Sequence, residues 1–317
     1  MNPLRMPALK PRRALGRTGF VATSLGIGDV ADRSVRIEEC VATLRRALDA
    51  GLNVVDTAPN YEDGYSEEIV GRALAGRRES AFLIDKIDHL DAPVGPQVAG
   101  SLARLGLAQV DLFVFHNCST VAAWERLVAR GGGFDQLAQE IAAGRARFSG
   151  ISSHHPDVLR AAIASRRCDV LMFPIGPYVD RRYETEILPL AREHGIGTVC
   201  FKTFGAGKLL GDTEGYQRPL STRPRGKRSS GGVDDDGAAV YPRLSAAECL
   251  HYTLTLDPDV ALLGLSFPNE QDAAFAAFET FRPLAAEQMD DVRRRARLAI
   301  RGKGACWWNP DPESLDY

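Results

Sequence analysis

Short apolar runs recur along the chain, and each is followed by an amphipathic stretch. Most of these runs are almost continuously apolar rather than alternating, which is typical of strands covered on both faces in a parallel sheet. The pattern predicts eight strands: Ala22–Ile27, Asn53–Asp56, Ala81–Lys86, Asp111–His116, Arg147–Ser152, Asp169–Pro174, Gly197–Lys202 and Val260–Leu265.

The spacing of the runs predicts how they connect. The first four predicted strands end at Ile27, Asp56, Lys86 and His116, about thirty residues apart, which is the length of a strand–helix unit that returns to a parallel neighbour. An α/β fold of one (β/α)8 TIM barrel over residues 1–317 is therefore expected rather than two domains. The predicted helices are Ile37–Ala50, Ser66–Leu74, Val98–Leu105, Phe134–Ala143, Pro156–Ser165, Tyr183–His194, Ala246–Leu256 and Ala285–Ile300.

Three segments do not fit the strand–helix repeat. Residues 11–21 carry a glycine turn between short runs, which predicts an N-terminal β-hairpin. Residues 211–242 are rich in Arg, Ser, Gly and Asp, which predicts a long polar loop. This loop is either a solvated insertion or a flap over a phosphate-bearing ligand. Residues 301–317 form a C-terminal tail with two tryptophans.

Composition narrows the class of protein. The 39 basic and 41 acidic residues give a net charge of −2, so nothing favours nucleic acid or an anionic membrane as partner. The six cysteines form no CxxC or CxxH pair, so we expect buried free thiols and no metal site. The chain has no apolar run long enough to span a bilayer and its start lacks a signal-peptide core, so we expect a cytoplasmic protein.

Polar residues stand where successive predicted strands end. Asp56, Lys86 and His116 end the second, third and fourth strands, and Tyr61 follows in the loop after Asp56. The carboxyl ends of barrel strands meet at one mouth, where active sites lie, so we expect these side chains to converge. Lysine is almost never fully buried unless it is paired, which makes Asp56 the expected partner of Lys86.

These residue types suit proton transfer to an oxygen atom. A free tyrosine has a pKa near ~10, and a neighbouring ammonium is expected to lower the pKa of Tyr61 towards a useful range. Asp56 would hold Lys86 in place and charged, and a neutral His116 can donate a hydrogen bond to a carbonyl oxygen. Such a site would reduce a carbonyl to an alcohol, with hydride supplied from elsewhere.

Several motifs in this order resemble the aldo-keto reductase family between residues 15 and 281. They are D-T-A-P-N-Y at 56–61, S-E-E-I-V-G-R-A-L at 66–74, V-D-L-F-V-F-H at 110–116, G-R-A-R-F-S-G-I-S at 144–152 and L-P-L-A-R-E-H-G-I-G at 188–197. The resemblance implies a barrel, a nicotinamide cofactor (usually NADPH) and a catalytic tetrad of Asp56, Tyr61, Lys86 and His116. Tyr61 would be the general acid, Lys86 would tune it, and His116 would orient and polarise the carbonyl.

The same resemblance implies a cofactor site with departures from the family. Ser153 stands where the family has Asn, and Met172 and Ile175 stand where it has Gln and a stacking Tyr, so the nicotinamide pocket is altered, as in some bacterial branches. The family's basic residues for the 2′-phosphate are lost, so NADP is expected but NAD is possible; Arg225, Lys227 or Arg228 could replace that charge. The expected cofactor-binding residues are Gly28, Ser152, Ser153, Lys202, Phe204, Gly205, Gly207, Gly264, Ser266 and Gln271.

The substrate is expected to be a small carbonyl compound or alcohol, and the oligomeric state stays open. Candidate pocket residues are Asp29, Asn117, Trp124 and Trp307, with the Trp307–Trp308 pair either forming a pocket wall or capping the outside of the barrel. Three alternatives to a soluble carbonyl reductase remain: a Schiff-base lyase that uses Lys86, a non-catalytic or regulatory nucleotide-binding barrel, and a redox enzyme that recycles a tightly held cofactor.

Overall fold

The computed structural model describes residues 9–210, 243–301, 306, 308 and 309. Within them, eight parallel strands close into a barrel, each pairing with the next in chain order and the last with the first, which confirms the predicted (β/α)8 fold. The predicted loop at 211–242 and most of the C-terminal tail lie outside the described residues. The barrel strands are β3 (Leu25–Gly28), β4 (Val54–Asp56), β5 (Phe82–Ile87), β6 (Leu112–Phe115), β7 (Phe148–Ser152), β8 (Val170–Pro174), β9 (Gly197–Phe201) and β10 (Val260–Leu263).

Helices fill the intervals between the strands, as the periodicity predicts. The helices at Val121–Val128 and Pro268–Glu279 were not predicted. The stretch predicted at 183–194 begins with a π-helical turn at Tyr183–Ile187, which precedes the helix at Leu188–Glu193. The α-helices are α1 (Ile37–Asp49), α2 (Tyr65–Leu74), α3 (Val94–Leu105), α4 (Val121–Val128), α5 (Gly133–Ala142), α6 (Pro156–Ser165), α7 (Leu188–Glu193), α8 (Ala246–Thr255), α9 (Pro268–Glu279) and α10 (Ala286–Ile300). None of the helices in the described ranges is long and apolar enough to cross a membrane.

The predicted N-terminal hairpin closes the end of the barrel opposite the mouth. Strands β1 (Arg13–Ala14) and β2 (Val21–Ala22) pair antiparallel. Ala22 was predicted to begin the first barrel strand but belongs to the hairpin, and the barrel strand starts at Leu25. The Phe20 ring from the hairpin packs 5.1 Å from the Phe82 ring, so the hairpin seals the barrel interior from below.

The alternation of side chains along each strand decides which residues reach the mouth. Successive side chains of a strand point to opposite faces, so residues two apart share a face. Val54, Phe82, Ile84, Leu112 and Val114 belong to the buried cluster inside the barrel. The next residues of the same parity are Asp56, Lys86 and His116, which therefore lie at the mouth above a sealed apolar interior.

Candidate active site

Lys86 and Asp56 form a buried ion pair at the mouth of the barrel. Lys86 Nζ donates to both carboxylate oxygens of Asp56, at 2.7 and 2.8 Å, and to the carbonyl oxygen of Thr57 at 2.7 Å. Lys86 is 1% exposed and Asp56 is 3% exposed. Burial by itself would lower the pKa of Lys86, but the charge of Asp56 and the neighbouring Tyr61 outweigh it, so this pKa is raised. Lys86 is therefore an ammonium at neutral pH.

Tyr61 lies between Lys86 and His116. Lys86 Nζ is 4.4 Å from the centroid of the tyrosine ring, and the ring meets the His116 ring edge-on with centroids 5.8 Å apart. The sequence predicted that Lys86 would lower the pKa of Tyr61. Burial instead raises this pKa above its usual value, although Lys86 acts in the opposite direction. Tyr61 is therefore a neutral phenol at neutral pH, the form in which it can give up a proton.

His116 is held by a residue that the sequence analysis missed. His116 Nδ1 lies 2.5 Å from Asp88 Oδ1, and the other carboxylate oxygen, Oδ2, accepts the backbone N–H of Asn60 at 2.8 Å. Burial lowers the pKa of His116, with Asp88 opposing the shift, so the ring is neutral at neutral pH. Asp88 stands two residues beyond Lys86, so the same rule of strand ends and alternation would have found it.

Further hydrogen bonds join neighbouring loops around the mouth. Ser266 Oγ donates to the Asp29 carbonyl oxygen at 3.0 Å, which ties the loop after β10 to the loop after β3. Asn117 Oδ1 lies 3.2 Å from His154 Nδ1, which ties the loop after β6 to the loop after β7. Asp29 and Asn117, both expected at the substrate pocket, thus stand at the mouth and have left-handed φ values of 51° and 52°.

Gly28 and Gly264 differ in the space that a side chain would find beside them. A Cβ atom on Gly28 would lie 3.0 Å from Asp56 Oδ2, whereas one on Gly264 would meet nothing nearer than the Gly28 carbonyl oxygen at 3.9 Å. Ser152 is buried at the carboxyl end of β7. The Ser153 hydroxyl accepts the backbone N–H of His155 at 3.2 Å, so this side chain also stabilises the local turn.

The loop after β9 is compact and carries two lysines. Gly205 and Gly207 have φ values of 55° and 87°, which favour glycine. Their backbone N–H groups close turns onto Lys202 and Phe204 within the loop, a use that the sequence did not anticipate. Lys202 and the buried Lys208 lie on this loop, with Nζ atoms 5.7 and 5.6 Å from the Trp308 ring centroid.

The C-terminal tail contributes Trp308 to this region. Trp308 is fully buried, and its Nε1 donates to the carbonyl oxygen of Tyr178 at 3.1 Å. Asn309 Oδ1 accepts the backbone N–H of Asp180 at 2.9 Å, so the tail is anchored on the segment after β8. Trp307 lies outside the described residues.

Two candidate residues lie in packing layers rather than at the mouth. Trp124 was expected to line the substrate pocket, but it is buried on α4 with its ring 5.5 Å from Phe134 of α5. Gln271 was expected to bind cofactor, but its Nε2 donates to the Thr43 carbonyl oxygen at 2.8 Å and its Oε1 accepts from Arg46 at 3.0 Å. Helix packing accounts for both side chains.

The chain matches the aldo/keto reductase family over residues 23–296. It is 27% identical over 255 residues to pyridoxal 4-dehydrogenase of Microbacterium luteolum, covering 65% of this chain and 74% of that protein. It is also 27% identical over 219 residues to the NADH-specific methylglyoxal reductase of Escherichia coli, covering 62% and 66% of the two chains.

Solved structures show the same fold. The holo form of an aldo-keto reductase from Bacillus halodurans is 26% identical, has a TM-score of 0.66, and is matched over 93% of this chain and 98% of that one. An aldo-keto reductase from Klebsiella pneumoniae in complex with NADPH has a TM-score of 0.67 at 20% identity, over 90% and 95% of the chains, and is evidence for the fold alone.

The mouth of this (β/α)8 barrel thus carries Tyr61, the buried Lys86–Asp56 pair and His116. The chain belongs to the aldo/keto reductase family, since the family match spans most of its length. It is an NAD(P)-dependent oxidoreductase by that membership.

Proposed function

We propose that this protein reduces an aldehyde or ketone to an alcohol, or catalyses the reverse reaction, with Tyr61 as the general acid. The observation that carries the proposal is the meeting of Tyr61, the Lys86–Asp56 pair and His116 at one end of the barrel. The family membership and the names of relatives that act on carbonyl groups support it.

The roles follow from the charge and position of each group. In the reductive direction the carbonyl carbon gains a hydride and its oxygen takes the phenolic proton of Tyr61. The protonated Lys86 stabilises the phenolate that remains, because its ammonium lies 4.4 Å from the ring centroid. Asp56 keeps Lys86 in place through two hydrogen bonds, so the ammonium is aimed before the substrate arrives.

The described residues fit a nicotinamide dinucleotide. Bound NADPH or NADH supplies the hydride. A Cβ atom on Gly264 would meet nothing nearer than 3.9 Å, so open space remains there for part of the dinucleotide, and Lys202 and Lys208 carry the positive charge that phosphates require. Ser152, at the carboxyl end of β7, would bind the carboxamide. NADPH is the expected cofactor and NADH is a second candidate, in line with the NADH-specific relative.

Two alternatives are weighed against the same geometry. A Schiff-base lyase needs a neutral Lys86 amine, but the raised pKa and three acceptors hold this group as an ammonium. A regulatory, non-catalytic barrel has one point in its favour, a 27% likeness over 229 residues to a putative voltage-gated potassium channel subunit beta from fission yeast, over 65% of each chain. The complete tetrad favours the enzyme.

The test measures cofactor binding and turnover separately. NADPH and NADH are titrated against the purified protein by fluorescence, and loss of reduced nicotinamide absorbance is followed with a panel of aldehydes and ketones. Tyr61→Phe is expected to lower kcat by about 10²–10⁴-fold while cofactor affinity stays within about threefold. Tyr65→Phe is the matched control, because the Tyr65 hydroxyl donates to the Val35 carbonyl oxygen at 3.4 Å and not to a residue of the tetrad. Cofactor binding without turnover of any carbonyl would favour the regulatory barrel.

A further inference from the structure

Asp88 offers two acceptor oxygens to two donors at the mouth. Its Oδ2 accepts the backbone N–H of Asn60 at 2.8 Å, and its Oδ1 lies 2.5 Å from His116 Nδ1. The Asp88 side chain is 9% exposed and that of His116 is 15% exposed, so the contact between these two side chains is largely shielded from solvent. An ionised carboxylate only accepts hydrogen bonds, so the proton of this contact belongs to Nδ1 of His116.

This contact determines which tautomer the ring adopts. A neutral imidazole carries one N–H, and when Nδ1 holds it, Nε2 carries a lone pair. A carbonyl oxygen also carries only lone pairs. The neutral ring, as Asp88 holds it, therefore cannot donate to a carbonyl; it gains that ability only when Nε2 is protonated as well.

We propose that Asp88 is a positioning residue that fixes His116 in the Nδ1–H tautomer, so that the neutral ring presents Nε2 to the reaction site as an acceptor. The inference about structure stands on the two contacts of Asp88 alone, and its consequence for turnover rests on the proposed function. In that setting His116 accepts a hydrogen bond from a substrate hydroxyl when neutral and donates to a carbonyl oxygen when protonated.

The groups around His116 set the pH at which the ring loses the proton that it needs for donation. Burial lowers the pKa of the ring, so the proton needed for donation is lost as pH rises through a value below the ordinary ~6.5. Tyr61 keeps its proton in this range because its own pKa is raised. The charged and titratable groups that act on the ring are Asp88 and Asp56, which favour its protonation, Lys86 and His154, which oppose it, and Tyr61, which is neutral.

Asp88→Asn is the sharpest perturbation because the side chain keeps its shape. The backbone N–H of Asn60 can only donate, so the carboxamide oxygen must face it and the NH2 group must face His116 Nδ1. Nδ1 then has to accept, and the proton moves to Nε2. An Asp→Asn change next to a catalytic histidine lowers kcat by about 10⁴-fold in a serine protease for this reason of tautomer.

The first readout does not require turnover. Long-range proton–nitrogen NMR on protein labelled with ring ¹⁵N-histidine distinguishes a protonated from a lone-pair nitrogen, and His116→Gln assigns the signal among the six histidines. At pH 7.5 (about one unit above the ordinary histidine pKa) we expect a protonated Nδ1 and a lone-pair Nε2 in the wild type, and the reverse in Asp88→Asn. A wild-type ring protonated on both nitrogens, or on Nε2 alone, would overturn the proposal.

The second readout is the pH profile of kcat/KM for aldehyde reduction between about pH 5 and 8, a window around the ordinary histidine pKa. The wild type should lose up to about tenfold per pH unit above the pKa of His116, and Asp88→Asn should stay within about threefold because its Nε2–H does not depend on pH. Asp88→Glu should restore the wild-type slope, and Asp91→Asn, at an exposed neighbouring carboxylate, should leave it unchanged. Parallel profiles for wild type and Asp88→Asn would refute the role of Asp88. Absence of turnover in every variant, with the NMR result as expected, would sink the proposed function and leave the tautomer assignment intact.

Discussion

Removing Lys86 is the change whose stability effect the structure determines best. Lys86→Met keeps the length of the side chain but leaves Asp56, 3% exposed, without the ammonium that contacts both of its oxygens. Breaking a buried pair by removing one partner costs about 3–5 kcal/mol, because the remaining charge is buried and uncompensated. At about 2.1 cal/mol/K of unfolding entropy per residue over 317 residues, this corresponds to a Tm lower by roughly 5–8 °C.

The stability loss of Lys86→Met is expected to change with pH in a defined direction. Without Lys86, burial raises the folded-state pKa of Asp56 above its unfolded value of ~3.9. The folded variant then binds a proton that the unfolded chain has lost, so its stability deficit is smallest at acidic pH and grows as pH rises through this window. Calorimetry between about pH 4.5 and 8, a window that starts just above the unfolded pKa of Asp56, measures this change in stability for Lys86→Met and for Asp56→Asn/Lys86→Met. The double variant lacks the carboxyl group, so its stability deficit should not depend on pH in this window.

A matched surface pair provides the control. Arg77 and Asp49 are also 2.7 Å apart, but their side chains are 34% and 65% exposed. An exposed pair contributes about 0–1 kcal/mol, so Arg77→Met should lower the Tm by less than about 2 °C. Equal losses for Lys86→Met and Arg77→Met would refute the reasoning from burial. So would a Lys86→Met deficit that does not change with pH.

Three further predictions follow from packing and burial. Trp124→Ala should lower the free energy of unfolding by about 3–5 kcal/mol in denaturant unfolding, because the ring packs on Phe134, and should leave kcat/KM of the folded enzyme within about twofold. Loss of activity without loss of stability would indicate that Trp124 lines the substrate pocket. Gly28→Ala should lower the free energy of unfolding by about 1–3 kcal/mol and lower kcat, because the new Cβ would lie 3.0 Å from Asp56 Oδ2 and displace that carboxylate. A crystal structure of the variant in which Asp56 has not moved would contradict this prediction. Among the six cysteines, all of which the structure describes, Cys306 alone is partly exposed, and burial raises its pKa to about 11. Cys306 should therefore be the first cysteine to react with a thiol reagent, and the reaction should be slow at about pH 7. Mass spectrometry that finds another cysteine modified first would refute this prediction.

The sequence by itself determined the barrel and the convergence of the tetrad. The first four covered strands end about thirty residues apart, and eight such strands alternate with helical stretches, which together indicate a (β/α)8 fold. The rule that strand ends share one mouth then brings Asp56, Lys86 and His116 together, because alternation along each strand is a local property of the backbone. These inferences need no knowledge of which side chains touch.

The tertiary structure alone decided the electrostatic state of the site and the destination of several side chains. Burial against other elements reversed the expected direction of the pKa of Tyr61, since desolvation depends on what surrounds the hydroxyl rather than on one neighbouring lysine. Trp124 and Gln271 are taken up by contacts between helices that are distant in sequence. The contact between Asp88 and His116 joins two separate loops, and which hydrogen bonds form between them depends on how the barrel closes.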